Sequence, residues 1–565
     1  MSQFQGLSAR FDAGHGPTVI AWLEWGITLV SGFVMHTLPP LSTPRAEDAP
    51  APATPATPAA DRKCQGTCPS CASRGSGASS DTSSDASSNA APGTASASAV
   101  IAPPTSKTLP LRVDARLLGR YDVNGPRYTS YPTALQFNDD FGASDYARAA
   151  AQSKRSGKPL SLYVHVPFCD TVCFYCACTK IVTGNRAHAD AYVARLHTEI
   201  ARQASLLGAG RTLAQMHWGG GTPTFLSLEQ IASLVDAIRR QFVMAPDDSA
   251  EYSIEIDPRS AGPASIRALR ALGFNRLSIG VQDFDPRVQQ AIHRVQPRAL
   301  VEATLDAARE CGIRSVNFDL IYGLPHQTPA SFSKTLDAVI EMAPERLSVF
   351  SYAHLPQQFK MQRCLPDDLP AGPEKVALLQ TIIARLTAAG YVYIGMDHFA
   401  RPDDELARAQ AAGTLHRNFQ GYSTRADCDL IGVGMSSIGR IGDSYAQNAK
   451  TLRTYYEAID AGGLAITRGV RLTDDDRLRR DVISRLMCHM SLNFEAIEQA
   501  HDIDFVAYFA AELGELADLA EDGLVAIDAR GLRVLPAGRL LVRVIAQVFD
   551  SYRRSAANTR CAKVV

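Results

Sequence analysis

Residues 160–178 read LSLYVHVPFCDTVCFYCAC. The first nine are mostly apolar, aromatic or β-branched and have the length of a strand; a cysteine-rich loop comes directly after them. Cys169, Cys173 and Cys176 stand in the spacing CxxxCxxC, with Cys178 two residues further on. Three thiolates in one short loop can ligate three corners of an iron-sulfur cubane and leave the fourth iron open to an exchangeable ligand. The competing reading is a zinc knuckle, which needs a fourth protein ligand; Cys178 or His165 would serve.

Downstream, runs of the same kind recur: AQMHWGGGTP, EYSIEIDP, FNRLSIGVQ, SVNFDLIYGLP and RLSVFSYAHLP. Helical stretches separate them, among them residues 187–207, 228–242, 299–311 and 331–342. Six repeats of strand, loop and helix predict a parallel sheet with right-handed crossovers. Six falls short of the eight of a closed barrel, so the expected fold is α/β, a partial (β/α)6 TIM-type barrel spanning 111–365 with an N-terminal arm. Each strand ends in its most chemically loaded residues, where such barrels carry their sites. From 366 to 565 the pattern turns mainly helical, predicting a C-terminal domain that caps the barrel mouth.

The first 110 residues differ from the rest. Residues 18–38 are apolar for about the length of a membrane span, but Glu24 and His36 interrupt them. An interfacial or signal-like helix, or a plain extension over 1–45, is preferred to a span. Residues 46–110 are Ala, Pro, Ser, Thr and Gly with hardly an aromatic, the composition of a disordered linker. Inside that linker Cys64, Cys68 and Cys71 repeat the CxxxCxxC spacing without a preceding strand or a following glycine motif, so a weak metal site or a chance match is expected.

With 57 Lys and Arg against 58 Asp and Glu, no global basic field points to nucleic acid. Seven of the twelve cysteines fall in the two short clusters, which suits metal ligands better than disulfides. Iron-ligating thiolates stay reduced, so a cytoplasmic setting is expected.

The strand ends hold candidate ligand contacts. Gly219, Gly220, Gly221, Thr222 and Pro223 close the second run, and glycines there let the backbone approach a ligand closely. Glu255, Gln282 and Asp319 close the third, fourth and fifth, and Arg294 comes after the fourth. Acidic and amide groups at one barrel mouth suit a polar ligand, while Arg294 suits a carboxylate. Taken singly, each is as readily a satisfied buried polar group.

The spacing CxxxCxxC after a first strand, with GGGTP after the second, resembles the radical S-adenosylmethionine superfamily. There the methionine amino and carboxylate groups chelate the open iron, and one electron from the cluster splits the sulfonium to give a 5′-deoxyadenosyl radical. From about Val113 onward the chain resembles the oxygen-independent coproporphyrinogen III oxidase family more closely. The carrying motifs are GPRYTSYPT, YVHVPFC with CFYCAC, HWGGGTPT, SIEIDPR, LSIGVQDF, DLIYGLPHQT, SYAHLP, IGMDHFARPDDELA, HRNFQGYST and GVGMSSIG.

This resemblance implies that Cys169, Cys173 and Cys176 bind a four-iron four-sulfur cluster. It implies that Tyr163, Gly220, Glu255 and Ile438 line one S-adenosylmethionine. A second S-adenosylmethionine would meet Tyr175, Gly221, Thr222, Gln282, Arg294, Asp319 and Ala353. Tyr175 stands where the best-known members have phenylalanine, keeping the ring and adding a hydroxyl. Tyr163, His165, Cys178 and Arg294 are the candidate catalytic residues; for His165 and Cys178 a plain structural role stands beside proton or electron handling.

The implied reaction is oxidative decarboxylation of the ring A and B propionates of coproporphyrinogen III to vinyl groups, giving protoporphyrinogen IX in anaerobic haem biosynthesis. The implied electron donor is a protein such as a flavodoxin or ferredoxin, and a monomer is expected. The four substrate carboxylates call for basic side chains. Arg127, Arg401 and Arg417 are the candidates, against solvated surface arginine. Two alternatives stand: a haem chaperone of the same superfamily, whose members lack the CxC and the RYTSYPT segment present here, and a zinc or redox-sensing cysteine protein.

Overall fold

The computed structural model describes residue 111, residues 114–553 and residue 563. The apolar run 18–38, the segment 46–110 and the Cys64, Cys68 and Cys71 triad lie outside the described residues. No helix among the described residues is long and apolar enough to cross a membrane.

Six parallel strands form in the predicted order: β1 (Leu160–Val166), β2 (Thr212–Gly220), β3 (Glu251–Ile256), β4 (Arg276–Gln282), β5 (Ser315–Tyr322) and β6 (Arg346–Ser351). Alternation decides which way each side chain points. In β5, Val316, Phe318 and Leu320 are fully buried against helices, whereas Ser315, Asn317 and Asp319 face a central cavity. The same alternation places Gln215 and His217 of β2, Ser253 and Glu255 of β3, Ser278 and Gly280 of β4, and Ser348 of β6 on the cavity side. The barrel interior is therefore polar, and its apolar core lies outside the strands. There Trp218, Ile254, Ile279 and Phe318 pack with Leu234, Leu269, Leu305 and Leu336 of the crossover helices. Each such fully buried side chain contributes on the order of 2 kcal/mol.

The helices begin where their capping residues stand. Ser227 accepts from Gln230 N at 3.2 Å while Gln230 Oε1 accepts from Ser227 N at 2.9 Å, a reciprocal cap on Leu228–Gln241. Thr328 and Ser331 repeat the device before Pro329–Met342, with proline at the first helical position.

The sheet extends beyond the six repeats at both edges. On one side β7 (Val392–Gly395) and β8 (His398–Ala400) continue it antiparallel from β6. On the other, β9 (Asp429–Val433) lies parallel to β1, with antiparallel β10 (Ile438–Ile441), β11 (Ser444–Asn448) and β12 (Ile466–Arg471) beyond it. The path runs β7-β8-β6-β5-β4-β3-β2-β1-β9-β10-β11-β12 without returning on itself, an open sheet consistent with the partial barrel that six repeats predict.

The mainly helical pattern expected from 366 onward therefore begins later: six strands between Val392 and Arg471 join the main sheet, and the helical region starts only at Asp474–His489, enclosing a three-stranded sheet, Ser491–Asn493, Val525–Asp528 and Gly531–Val534. Its core takes in Leu117, Leu118, Tyr128 and Tyr131, so the N-terminal arm is packed against this region.

Candidate active site

The strand ends enclose a cavity of about 580 Å³. The cysteine loop that forms one wall is closed at its base, where Phe168 and Cys169 pair with Ile181 and Val182. It is anchored again at Phe174, whose N–H donates to Ile292 O at 3.0 Å and whose ring stacks on His293. Cys169, Cys173, Cys176 and Cys178 all line the cavity.

Each of the three spaced sulfurs has a donor beside it. Thr222 Oγ1 lies 3.4 Å from Cys169 Sγ. Arg259 Nη2 and Arg294 Nη1 reach Cys173 Sγ at 3.6 and 3.7 Å. The Cys178 N–H donates to Cys176 Sγ at 3.4 Å, and Lys180 Nζ donates to Cys176 O at 2.9 Å. The side-chain hydrogen bond from Cys178 draws the Cys176 thiol down against the effect of burial. Burial pushes the Cys169 thiol up to about 12, so without a metal it keeps its proton near neutral pH. Among the described residues no three His, Cys, Asp or Glu side chains gather tightly enough for one shared metal ion. A cubane takes one thiolate per iron and so accepts a wider triad.

Asp257 organises the arginines. Its carboxylate pairs with Arg294 at 3.0 Å and Arg259 at 2.7 Å, and these cations hold it below its usual range despite its burial.

The glycine turn after β2 packs onto the cysteine loop through the backbone. Gly221 N donates to Val166 O and Thr222 N to Phe168 O, both at 2.8 Å. A Cβ on Gly221 would meet Pro167 O at 2.6 Å and Phe168 O at 2.7 Å, so only glycine allows this approach. Gly220 has φ +118°, and a Cβ there would strike the His165 ring at 2.6 Å. Its N–H donates to Glu255 Oε2 at 3.2 Å.

Glu255, Gln282, Arg294, Asp319, Tyr175, Thr222, Ala353, Gly220 and Gly221 all stand on the cavity wall. A β-bulge between Gly280 and Gln282, with Gln282 at φ +66°, brings that side chain to the wall. Asp319 accepts from Ser278 Oγ and Asn317 Nδ2, each at 2.8 Å, and burial raises its carboxyl to about 6. Gln362 Nε2 donates to Tyr175 O at 3.0 Å and Ala353 O at 3.2 Å, tying those two positions together.

Tyr163, His165 and Ile438 stand behind the lining. Tyr163 stacks on His217 and its hydroxyl lies 3.0 Å from His165 Nδ1, while His165 Nε2 lies 3.2 Å from Thr179 O. A carbonyl only accepts, so Nε2 carries the hydrogen and Nδ1 accepts from Tyr163. Burial holds His165 neutral, its value pushed down to about 4. Ile438 is buried with Phe137, Tyr445 and Leu472, and its backbone abuts Gly432, the β9 partner of Tyr163.

The three arginines offered for carboxylates part company. Arg127 lines the cavity and pairs with Asp397. Arg401 is exposed, pairs with Asp403 at 3.4 Å and stands away from the cavity. Arg417 is buried beside a different, smaller cavity.

Sequence reasoning passed over His217, Asp257, Arg259 and Lys180. The first three lie inside the runs HWGGGTP and SIEIDPR, beside residues whose chemistry stood out. His217 Nδ1 is 2.6 Å from Ser253 Oγ, and its Nε2 is 3.3 Å from Glu255. On the cavity wall Arg294 Nε, Arg276 Nε and His398 Nδ1 are buried without a hydrogen-bond partner among the described residues. Such orphaned groups, with three loop thiols and a glycine cradle, fit a cluster and carboxylate-bearing ligands.

The fold and site together define a radical S-adenosylmethionine enzyme, a class whose cofactors are a four-iron four-sulfur cluster and S-adenosylmethionine. The family model described as the Radical SAM superfamily matches residues 163–339, and that of the HemN C-terminal domain matches residues 472–541. The oxygen-independent coproporphyrinogen III oxidase of Pseudomonas aeruginosa is 50% identical over 80% of this chain and 99% of its own length. That of Escherichia coli K12 is 52% identical over 79% and 96%. A solved structure, described as coproporphyrinogen III oxidase (HemN) from Escherichia coli, a radical SAM enzyme, is similar with a TM-score of 0.75 at 51% identity, covering 79% of this chain and all of that one. The chain belongs to the oxygen-independent coproporphyrinogen III oxidase family.

Proposed function

We propose that the chain converts coproporphyrinogen III to protoporphyrinogen IX by oxidative decarboxylation of the ring A and B propionates, using two S-adenosylmethionine molecules. The observation that carries the reading is the convergence of Cys169, Cys173, Cys176, Gly220, Glu255, Gln282, Arg294 and Asp319 on one cavity, in a chain half identical to a whole named oxidase. When bound, the cluster and S-adenosylmethionine supply one-electron chemistry strong enough to remove a hydrogen atom from an unactivated carbon.

The protein's share is holding and shielding. Cys169, Cys173 and Cys176 hold the cluster, and the guanidiniums of Arg259 and Arg294 stand beside Cys173 Sγ. Gly220 and Glu255 meet the first S-adenosylmethionine, with Tyr163 and Ile438 backing that wall. Tyr175, Gly221, Thr222, Gln282, Arg294, Asp319 and Ala353 receive the second. His165, neutral and packed under Gly220, acts as a positioning residue. Cys178 tunes Cys176 through the hydrogen bonds between them. Arg127 faces a substrate carboxylate.

The setting is the reducing cytoplasm, with a flavodoxin- or ferredoxin-like electron donor and a monomeric enzyme. The test is an anaerobic assay with coproporphyrinogen III, S-adenosylmethionine and reductant. Protoporphyrinogen IX should form with two deoxyadenosines per product. Deoxyadenosine without protoporphyrinogen would overturn the oxidase reading and favour a haem chaperone.

A further inference from the structure

A second cavity, of about 40 Å³, lies where the N-terminal arm, the β9–β11 strands and the helix Asp474–His489 meet. Four guanidiniums line it: Arg417, Arg425, Arg440 and Arg480. Arg417 is only 5% exposed. Its Nε donates to Arg127 O at 3.4 Å and its guanidinium lies over the Tyr422 ring at 4.8 Å. Neither Nη1 nor Nη2 has a hydrogen-bond partner among the described residues. Arg480 Nη1 and the Ser130 hydroxyl, also on this cavity, are buried and unpartnered as well.

The nearby acids pair with two of the other cavity arginines. Glu251 stands 3.6 Å from Arg425, and Asp443 stands 3.4 Å from Arg480 and is shared with Arg477. Neither pairs with Arg417. His416 on the same wall is held neutral, pushed down to about 3 by burial and then by Arg440 and Arg480. A buried guanidinium without an anionic partner is unfavourable, and water satisfies its N–H groups without balancing its charge.

We infer that this cavity is a built oxyanion site, in which Arg417 grips a carboxylate- or phosphate-sized anion through both Nη atoms and Arg480 and Ser130 close over it. The volume suits that size, being roughly three or four times the 10–15 Å³ that one water needs. A guanidinium fork matches two oxygens of such an ion. Because Ser130 belongs to the arm, Arg417 to the hairpin His416–Asn418/Gly421–Ser423 and Arg480 to the helix Asp474–His489, the bound anion joins three parts of the fold. Two sources share this chemistry: a free inorganic oxyanion, or one carboxylate arm of the substrate. The second rests on the function proposed above, since Arg417 is bonded to the backbone of cavity-lining Arg127.

The test is thermal unfolding of the anaerobically reconstituted full chain at constant ionic strength, with inorganic phosphate replacing sodium chloride. The wild type should show a saturable rise in Tm. R417Q should need at least about tenfold more phosphate, the loss expected when a charged bidentate contact is removed. R480Q carries the same expectation should R417Q fail to fold, and R401Q, on the exposed Arg401, should titrate as the wild type does. Coproporphyrin III, a stable tetracarboxylate, separates the sources: competition with phosphate identifies the substrate arm, and independent effects identify a free anion. Equal responses of the wild type to chloride and phosphate, or of wild type, R417Q and R480Q to phosphate, would overturn the site. Because the titration involves no turnover, it stands or falls separately from the oxidase assay.

Discussion

Asp319 shows what a single side chain gives up to serve the cavity. Its carboxyl is raised by burial from 3.8 to about 6, so the native state holds a proton that the unfolded chain has already released between those values. Stability therefore falls as pH rises through that window, and the penalty is full above about pH 6, amounting to about 3 kcal/mol for a displacement of that size. Asp319→Asn removes the penalty. In urea unfolding of the cofactor-free protein it should stabilise by on the order of 1–3 kcal/mol near pH 7.5 and by clearly less near pH 5. An equal gain at both values would mean that Asp319 is not the titrating group.

At the scale of an element, the turn after β2 is the part with least slack. Gly221 meets two carbonyl oxygens of the cysteine loop, and backbone atoms do not swing aside as a side chain would. Gly221→Ala should push the turn away from Cys169, lowering iron content after anaerobic reconstitution and cutting turnover at least roughly tenfold. Gly119, with nothing within 4 Å of an added Cβ, supplies the control and should be neutral to alanine. Wild-type iron content and rate in the Gly221 variant would show that the close approach is dispensable. These strand ends were legible in the sequence because period-2 alternation and chemically loaded termini coincide in every repeat. Asp257 and Arg259 were not, since their effect on Cys173 depends on how an arginine folds back across two loops. Arg401 and Arg417 illustrate the same limit: both sit in recognisable motifs, but only packing decides that one is solvated and the other buried.

For the whole molecule, the motifs of the oxidase family begin at Gly125 and the described arm at residue 111. A chain starting near Leu109 should match the full chain in iron content and turnover. Loss of iron on that truncation would instead give Cys64, Cys68 and Cys71 a part in cluster binding. The segment Gly432–Gly439 was recognisable as a motif and not as the edge of a strand beside β1, because nothing local specifies a partner so far away in the chain. That pairing bears on biosynthesis. Leu160 is made early and its neighbour Asp429 late, so the strand that leads into the cysteine loop emerges from the ribosome with one flank bare and waits for most of the chain before it is covered. During that interval the edge of β1 that Asp429–Val433 will cover is unpaired, a flank open to non-native strand pairing until synthesis has passed Val433.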